Sequence, residues 1–135
     1  MNTYLGVICV KATPESYYDK PGYNVFYSNG YRDWLPQEIF ESMFLKINKD
    51  DRLTQKDIDN WMGMSIVTTT DADERTTLVK VDMPSGFIEW EPSSCISAHN
   101  YNNTVGKQIA LRHIEDRVWK MLGFVLQWGI HGIAI

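Results

Sequence analysis

The chain has almost no cysteine: Cys9 and Cys95 are the two in 135 residues, with no CxxC pair between them. That excludes a disulfide framework and a thiolate zinc site, and it predicts a reducing, intracellular setting. His99, His113 and His131 have no metal-ligand spacing, and neither a P-loop nor a GxGxxG stretch occurs, so no metal and no nucleotide cofactor is expected. There is no basic run, and the formal net charge is −4, which argues against a general DNA- or RNA-binding surface. Long clean apolar runs are missing too. The apolar stretch of MNTYLGVICVK is seven residues with nothing basic before it, which reads as a buried first strand rather than a signal peptide. Val118 to Ile135 is interrupted by Lys120, Gln127 and His131 and falls short of the ~20 residues of a membrane span.

What is present is ordinary globular material with an aromatic surplus. Hydrophobic residues make up 44% and charged residues 22%, enough for one real core, while five Trp, seven Tyr and five Phe suit cores, interfaces and base-stacking surfaces alike. The length fits a single α+β domain, with a hairpin–helix module over about 1–47 and a sheet plus long helix over about 53–135.

Residues 3–10 read as a strand, 13–22 as loop, and Tyr23–Tyr27 and Tyr31–Trp34 as a hairpin closed by Ser28-Asn29-Gly30. Pro36 opens a short helix over 37–47 with Ile39, Phe40, Met43, Phe44 and Ile47 as its apolar stripe. The polar Asn48–Arg52 lacks the central glycine and the acidic ligands of a calcium loop. Thr54 and Asp57 form a variant capping box for a second helix through Met62. Ser65–Thr70, Thr76–Met83 and Phe87–Ile96 then predict an antiparallel meander with turns at 71–74 and 84–86.

The longest helical pattern runs from Asn100 to about Trp128, with Val105, Ile109, Ile114, Val118, Met121, Leu122 and Val125 on one face. At 1.5 Å per residue it spans about 40 Å, against roughly 35 Å for the diameter of a domain this size. That mismatch and the all-round apolar segment Trp119–Trp128 predict a homo-oligomer.

No catalytic set assembles. Cys95 near His99 is a weak nucleophile signal and reads better as a small, partly buried residue at a strand end, so no enzyme is expected. One region has the materials of a binding site. Phe87 and Trp90 offer stacking rings, three residues apart and so on opposite sides of a strand. Glu91-Pro92-Ser93-Ser94-Cys95 makes a hydroxyl-lined corner, and Asn100 and Asn103 lead into the long helix, whose first N–H groups favour an anion. Lys107 stands one turn in, beside Gly106, and Arg112 and Arg117 can add bidentate phosphate contacts from the same helix or a neighbouring chain. The plainer alternative has Asn100 or Asn103 capping the helix and the three cations solvated.

Two stretches resemble phage proteins. GYNVFYSNGYRDWLPQEIFESMF, residues 22–44, looks like a recurring phage module through Gly22, Tyr23, Val25, Tyr27, Gly30, Tyr31, Trp34, Pro36, Phe40 and Glu41. Residues 76–127 are similar to the phage anti-Thoeris sponge family of the first-described type through Gly86, Phe87, Ser93, Ser94, Cys95, Asn100, Tyr101, Gly106, Lys107, Ile109, Trp119, Leu122 and Gly123. The resemblance implies an oligomeric protein of the host bacterial cytoplasm that binds cyclic ADP-ribose isomers made by TIR-domain enzymes without cleaving them. Some members of that family also bind cyclic oligonucleotides. Two positions depart from the pattern: Leu111 stands where many relatives have a second basic residue, and Val105 replaces the usual Ile. Arg112 is adjacent to Leu111 but points about 100° away on a helix. The alternatives are a phage structural or regulatory oligomer that binds a protein partner and a hydrolase acting on nucleotide signals.

Overall fold

The computed structural model describes residues 1–134. It is α+β, with two separate three-stranded antiparallel sheets, two short helices and one long helix near the C-terminal end. The chain divides into two units: Met1–Asp51 with the segment from Phe124 onward, and Arg52–Gly123.

In the first unit, β1 (Lys11–Pro14), β2 (Gly22–Phe26) and β3 (Arg32–Pro36) form a meander, with Lys11 opposite Phe26 and Gly22 opposite Pro36. The hairpin predicted from Ser28-Asn29-Gly30 is there because Gly30 takes φ +89°, which costs a glycine little. Gly22 lies where a Cβ would collide with the Trp34 indole. Trp34 is held in turn by its Nε1–H, which donates to the Glu15 carbonyl at 2.7 Å.

Three readings of this region are corrected. The predicted strand over 3–10 makes no ladder, and most of it is exposed, because strand propensity without a neighbouring edge forms no sheet. The first strand, β1, begins just past the predicted one and runs two residues into the stretch read as loop, its end at Pro14 being tolerated because β1 is an edge. Helix α1 (Gln37–Met43) stops four residues early: Phe44 is extended, and Phe40 stacks on Tyr23 at 4.2 Å and on Phe44 at 4.9 Å.

In the second unit, the Thr54 N–H donates to Asp57 Oδ2 at 2.8 Å, the capping contact read from the sequence, and α2 (Gln55–Gly63) follows. Strands β4 (Ile66–Asp71), β5 (Thr76–Asp82) and β6 (Ile88–Ser94) form the expected meander. The 29-residue helix α3 (Asn103–His131) begins three residues later than predicted. Its buried row is Gly106, Ala110, Ile114 and Val118. Val105, Ile109 and Val125, expected on the packed face, are exposed. The reason is steric: the small side chains at 106 and 110 bring this row close to the sheet, where larger residues would hold it off.

The core of this unit joins Ile58 of α2, Val79 and Val81 of β5, Met83 just past it, and Ala110, Ile114 and Val118 of α3. Burying one such aliphatic side chain contributes roughly 1.5–3 kcal/mol.

Candidate ligand-binding site

Strand alternation sorts the sheet of the second unit into two faces. Thr77, Val79 and Val81 on β5, and their partners Ser93, Glu91 and Glu89 on β6, face α3. Leu78, Lys80 and Asp82, opposite Pro92, Trp90 and Ile88, lie on the other face. Nothing in this unit covers that second face fully: Trp90 is 52% exposed, Ile66 68% and Ile88 44%.

On the open face Lys80 is directly across from Trp90, and its Nζ stands 5.4 Å from the ring centroid. Asp82 holds the same ammonium at 3.6 Å. Toward the C-terminal end of β6, Ser94 and Thr76 share a hydroxyl hydrogen bond of 2.8 Å. The face thus presents one aromatic ring, beside it a half-exposed cation with one carboxylate partner, and farther along the strand a pair of hydroxyls. Because β6 is an edge strand, it continues through Pro92 without losing a ladder bond.

Beyond Ser94 the chain turns sharply. The Cys95 N–H donates to the Arg75 carbonyl at 2.9 Å, and Arg75 Nη1 donates to the Ile96 carbonyl at 3.1 Å. Cys95 Sγ donates to the Ser97 carbonyl at 3.0 Å, so its partner is backbone rather than an imidazole. Ser97 Oγ accepts the His99 N–H, starting a short 3₁₀ turn, Ala98–Asn100. Tyr101 follows; its hydroxyl donates to Asp71 Oδ1 at 2.5 Å and lies 2.7 Å from Thr77 Oγ1. The hydrogen bond to Asp71 pushes the Tyr101 phenol above its ordinary pKa, since the bond stabilises the protonated form.

The start of α3 differs from both sequence readings. The capping residue is Asn102, whose Oδ1 accepts the N–H groups of Thr104 at 3.0 Å and Val105 at 3.3 Å. Neither Asn100 nor Asn103 has that role. An anion arriving at this terminus would have to displace the chain's own cap. Gly106 is also accounted for within the fold: a Cβ there would meet Thr77 Oγ1 and stand 2.9 Å from Thr77 Cβ. The close approach that this glycine permits is between helix and sheet.

Arg117 is already paired. Its Nε–H donates to Glu89 at 3.2 Å, Nη1 to Glu91 at 3.0 Å, and Nη2 to the Trp90 carbonyl at 3.4 Å. His113 Nδ1 completes the set at 2.8 Å from the second oxygen of Glu91. Burial raises the pKa of the Glu91 carboxyl, but the hydrogen bonds and charges of His113 and Arg117 outweigh it, and the pKa lies below its ordinary value. With two carboxylate side chains already on the one guanidinium, this cluster offers a phosphate no unpaired cation.

The remaining residues separate in space. Phe87 precedes β6 and Ser94 ends it, about 23 Å apart at 3.3 Å per residue. Arg112, two residues past the buried Ala110, projects from the side of α3 opposite the sheet, whereas Trp90 lies on the sheet face turned away from α3. Lys107 is half-buried one position past Gly106. One copy of this unit therefore puts Trp90 with Lys80, and Thr76 with Ser94 farther along the strand, on one sheet face, but not Trp90 with Arg112. Lys80 was legible as a member only once the register placed it across from Trp90.

In the first unit, a hollow of about 210 Å³ is lined by Glu15, Ser16, Tyr23 and Gln37 among others. It is smaller than the 300–1,000 Å³ usual for ligand sites. No cluster of three or more His, Cys, Asp or Glu able to hold a metal occurs among the described residues. Among those residues, no helix is long and apolar enough to cross a membrane.

No curated protein and no solved structure matches this chain. A family model does, over residues 48–130, which takes in α2, the β4–β6 meander and nearly all of α3. The match covers more than half of the chain, and by it the protein belongs to the phage protein family described as N4 Gp49/phage Sf6 gene 66.

Proposed function

We propose that this phage protein is an anti-defence sponge: it binds cyclic ADP-ribose isomers in the host bacterial cytoplasm, does not cleave them, and so blocks a Thoeris-type abortive response. The observation that carries the reading is the open sheet face, where the half-exposed Trp90 ring lies beside the Lys80 ammonium, with the Thr76–Ser94 hydroxyls beyond the Leu78–Pro92 pair, about 13 Å along the strand. A cyclic messenger with an adenine, two riboses and two phosphates matches that set, since the ring stacks the base, the hydroxyls meet the ribose and the cation meets a phosphate. Membership of a phage family and the resemblance over residues 76–127 favour it further. Arg112, on the side of α3 turned away from the sheet, would reach a ligand stacked on Trp90 only from another copy of the chain.

The deciding experiment mixes the protein with TIR-derived cyclic ADP-ribose isomers, measures affinity, then denatures the complex and analyses the nucleotide. Tight binding with intact release is the expected result. An altered product would make it a hydrolase. No binding would leave the second reading, an oligomeric phage structural or regulatory protein with a protein partner, which the exposed apolar residues Phe124 and Val125 of α3 favour.

A further inference from the structure

Residues 1–10 run without turn, bend or ladder. Among the described residues, the segment's backbone bond outside β1 is the Cys9 N–H to the Gly129 carbonyl, 3.1 Å. Gly129 makes the crossing possible: a Cβ there would stand 2.8 Å from Cys9 Sγ and 3.5 Å from Val7 Cγ1. Val7 and Cys9 thus rest on the last turns of α3. Tyr4 and Ile8, of opposite strand parity, are 87% and 48% exposed, as is Leu5 at 76%. The composition is that of a strand, yet no edge pairs with it, and lone strands are not stable in water.

The surroundings are equally incomplete. Phe124, Val125, Ile130 and Ile133 are exposed, and Val125 stands one turn before Gly129 on the same face. An aromatic side chain presents roughly 150–250 Å² and an aliphatic one somewhat less. The exposed fractions of these four and of Tyr4, Leu5 and Ile8 therefore leave on the order of 800 Å² uncovered. That sum equals the share of one partner in a standard interface, about 800 Å².

Charge says what the occupant is. The segment Met1–Val10 has no charged side chain, and between Met121 and Ala134 His131 is the sole ionisable one. In a protein of net charge −4, this is the surface on which two identical molecules meet without like-charge repulsion, and a segment paired antiparallel with itself satisfies a two-fold axis.

We propose that residues 1–10 form an intermolecular strand: the arm of one chain pairs antiparallel with the arm of a second copy, and the paired arms cover the exposed end of α3 in both. The interface is independent of what the sheet face binds, so failure of the ligand assay leaves it intact.

The test uses the full chain. Sedimentation of the wild type at about 10 µM should give a dimer or a multiple of it, and Tyr4→Asp with Ile8→Asp should give the 15.6 kDa species with an unchanged far-UV circular dichroism spectrum. In a Cys9→Ser, Cys95→Ser background, single cysteines at Tyr4, Gly6 and Ile8 should form an interchain disulfide at the position nearest the axis and not at the others. A monomeric wild type, a dimer that survives both aspartates, or the absence of any cross-link at the three positions would each overturn the proposal.

Discussion

Gly106 of α3 rests directly on Thr77 of β5, with 2.9 Å between the threonine Cβ and the place a Cβ at position 106 would occupy. Thr77 is fully buried and within hydrogen-bonding distance of Tyr101, so it has nowhere to retreat. Gly106→Ala gains about 1 kcal/mol of helix propensity, but the overpacking costs about 1–3 kcal/mol. The expected outcome is a net loss of thermal stability, by calorimetry, where the same change at the unobstructed Gly123 raises it.

Trp90→Ala tests the stacking platform. The side chain is half-exposed and outside the core cluster, so the fold should survive. Affinity for the cyclic messenger should fall by about 1–3 kcal/mol, as for other base–aromatic stacks. Phe87→Ala, at the far end of β6, should leave isothermal titration unchanged. The reverse pattern would move the site to the 84–87 turn.

Cations give the second test. Lys80→Ala should weaken binding tenfold to a hundredfold, as loss of one charge-assisted contact does, about 1.5–3 kcal/mol. Binding should also weaken with added salt. Arg112→Ala should match that loss only if the binding species is an oligomer. Titrations of a monomeric arm variant separate the two contributions.

Acid stability follows from Glu91. Its carboxyl has a pKa lowered in the folded state, so the stability it adds is fully present above the unfolded value, about 4.3. That stability is lost as pH falls through the folded one. Melting temperature should drop on acidification below that point. Glu91→Gln should flatten this part of the profile while lowering stability at neutral pH, because Arg117 loses one of its two carboxylate partners.

Local chemistry was readable from the residues alone. Alternation over 76–83, the turn residues at 84–86 and the Thr54–Asp57 pair each act within a few positions, and the structure has β5, its hairpin and the α2 cap where they point. The α+β class and the long helix followed from the same short-range periodicities. Tertiary structure decided the rest, because the deciding partners are far apart in sequence. Arg117 reads as a free phosphate ligand until Glu89 and Glu91, 28 and 26 residues away, take its guanidinium. Asn102 rather than Asn100 or Asn103 caps α3, since a cap depends on where the 3₁₀ turn releases the chain. Residues 1–10 have a strand's composition but no ladder, for a strand is completed by an edge that its own sequence does not contain. Only the pairing register put Lys80 beside Trp90 on the open face and turned Arg112 away from it, because which side of a sheet a residue occupies depends on its neighbours across the ladder.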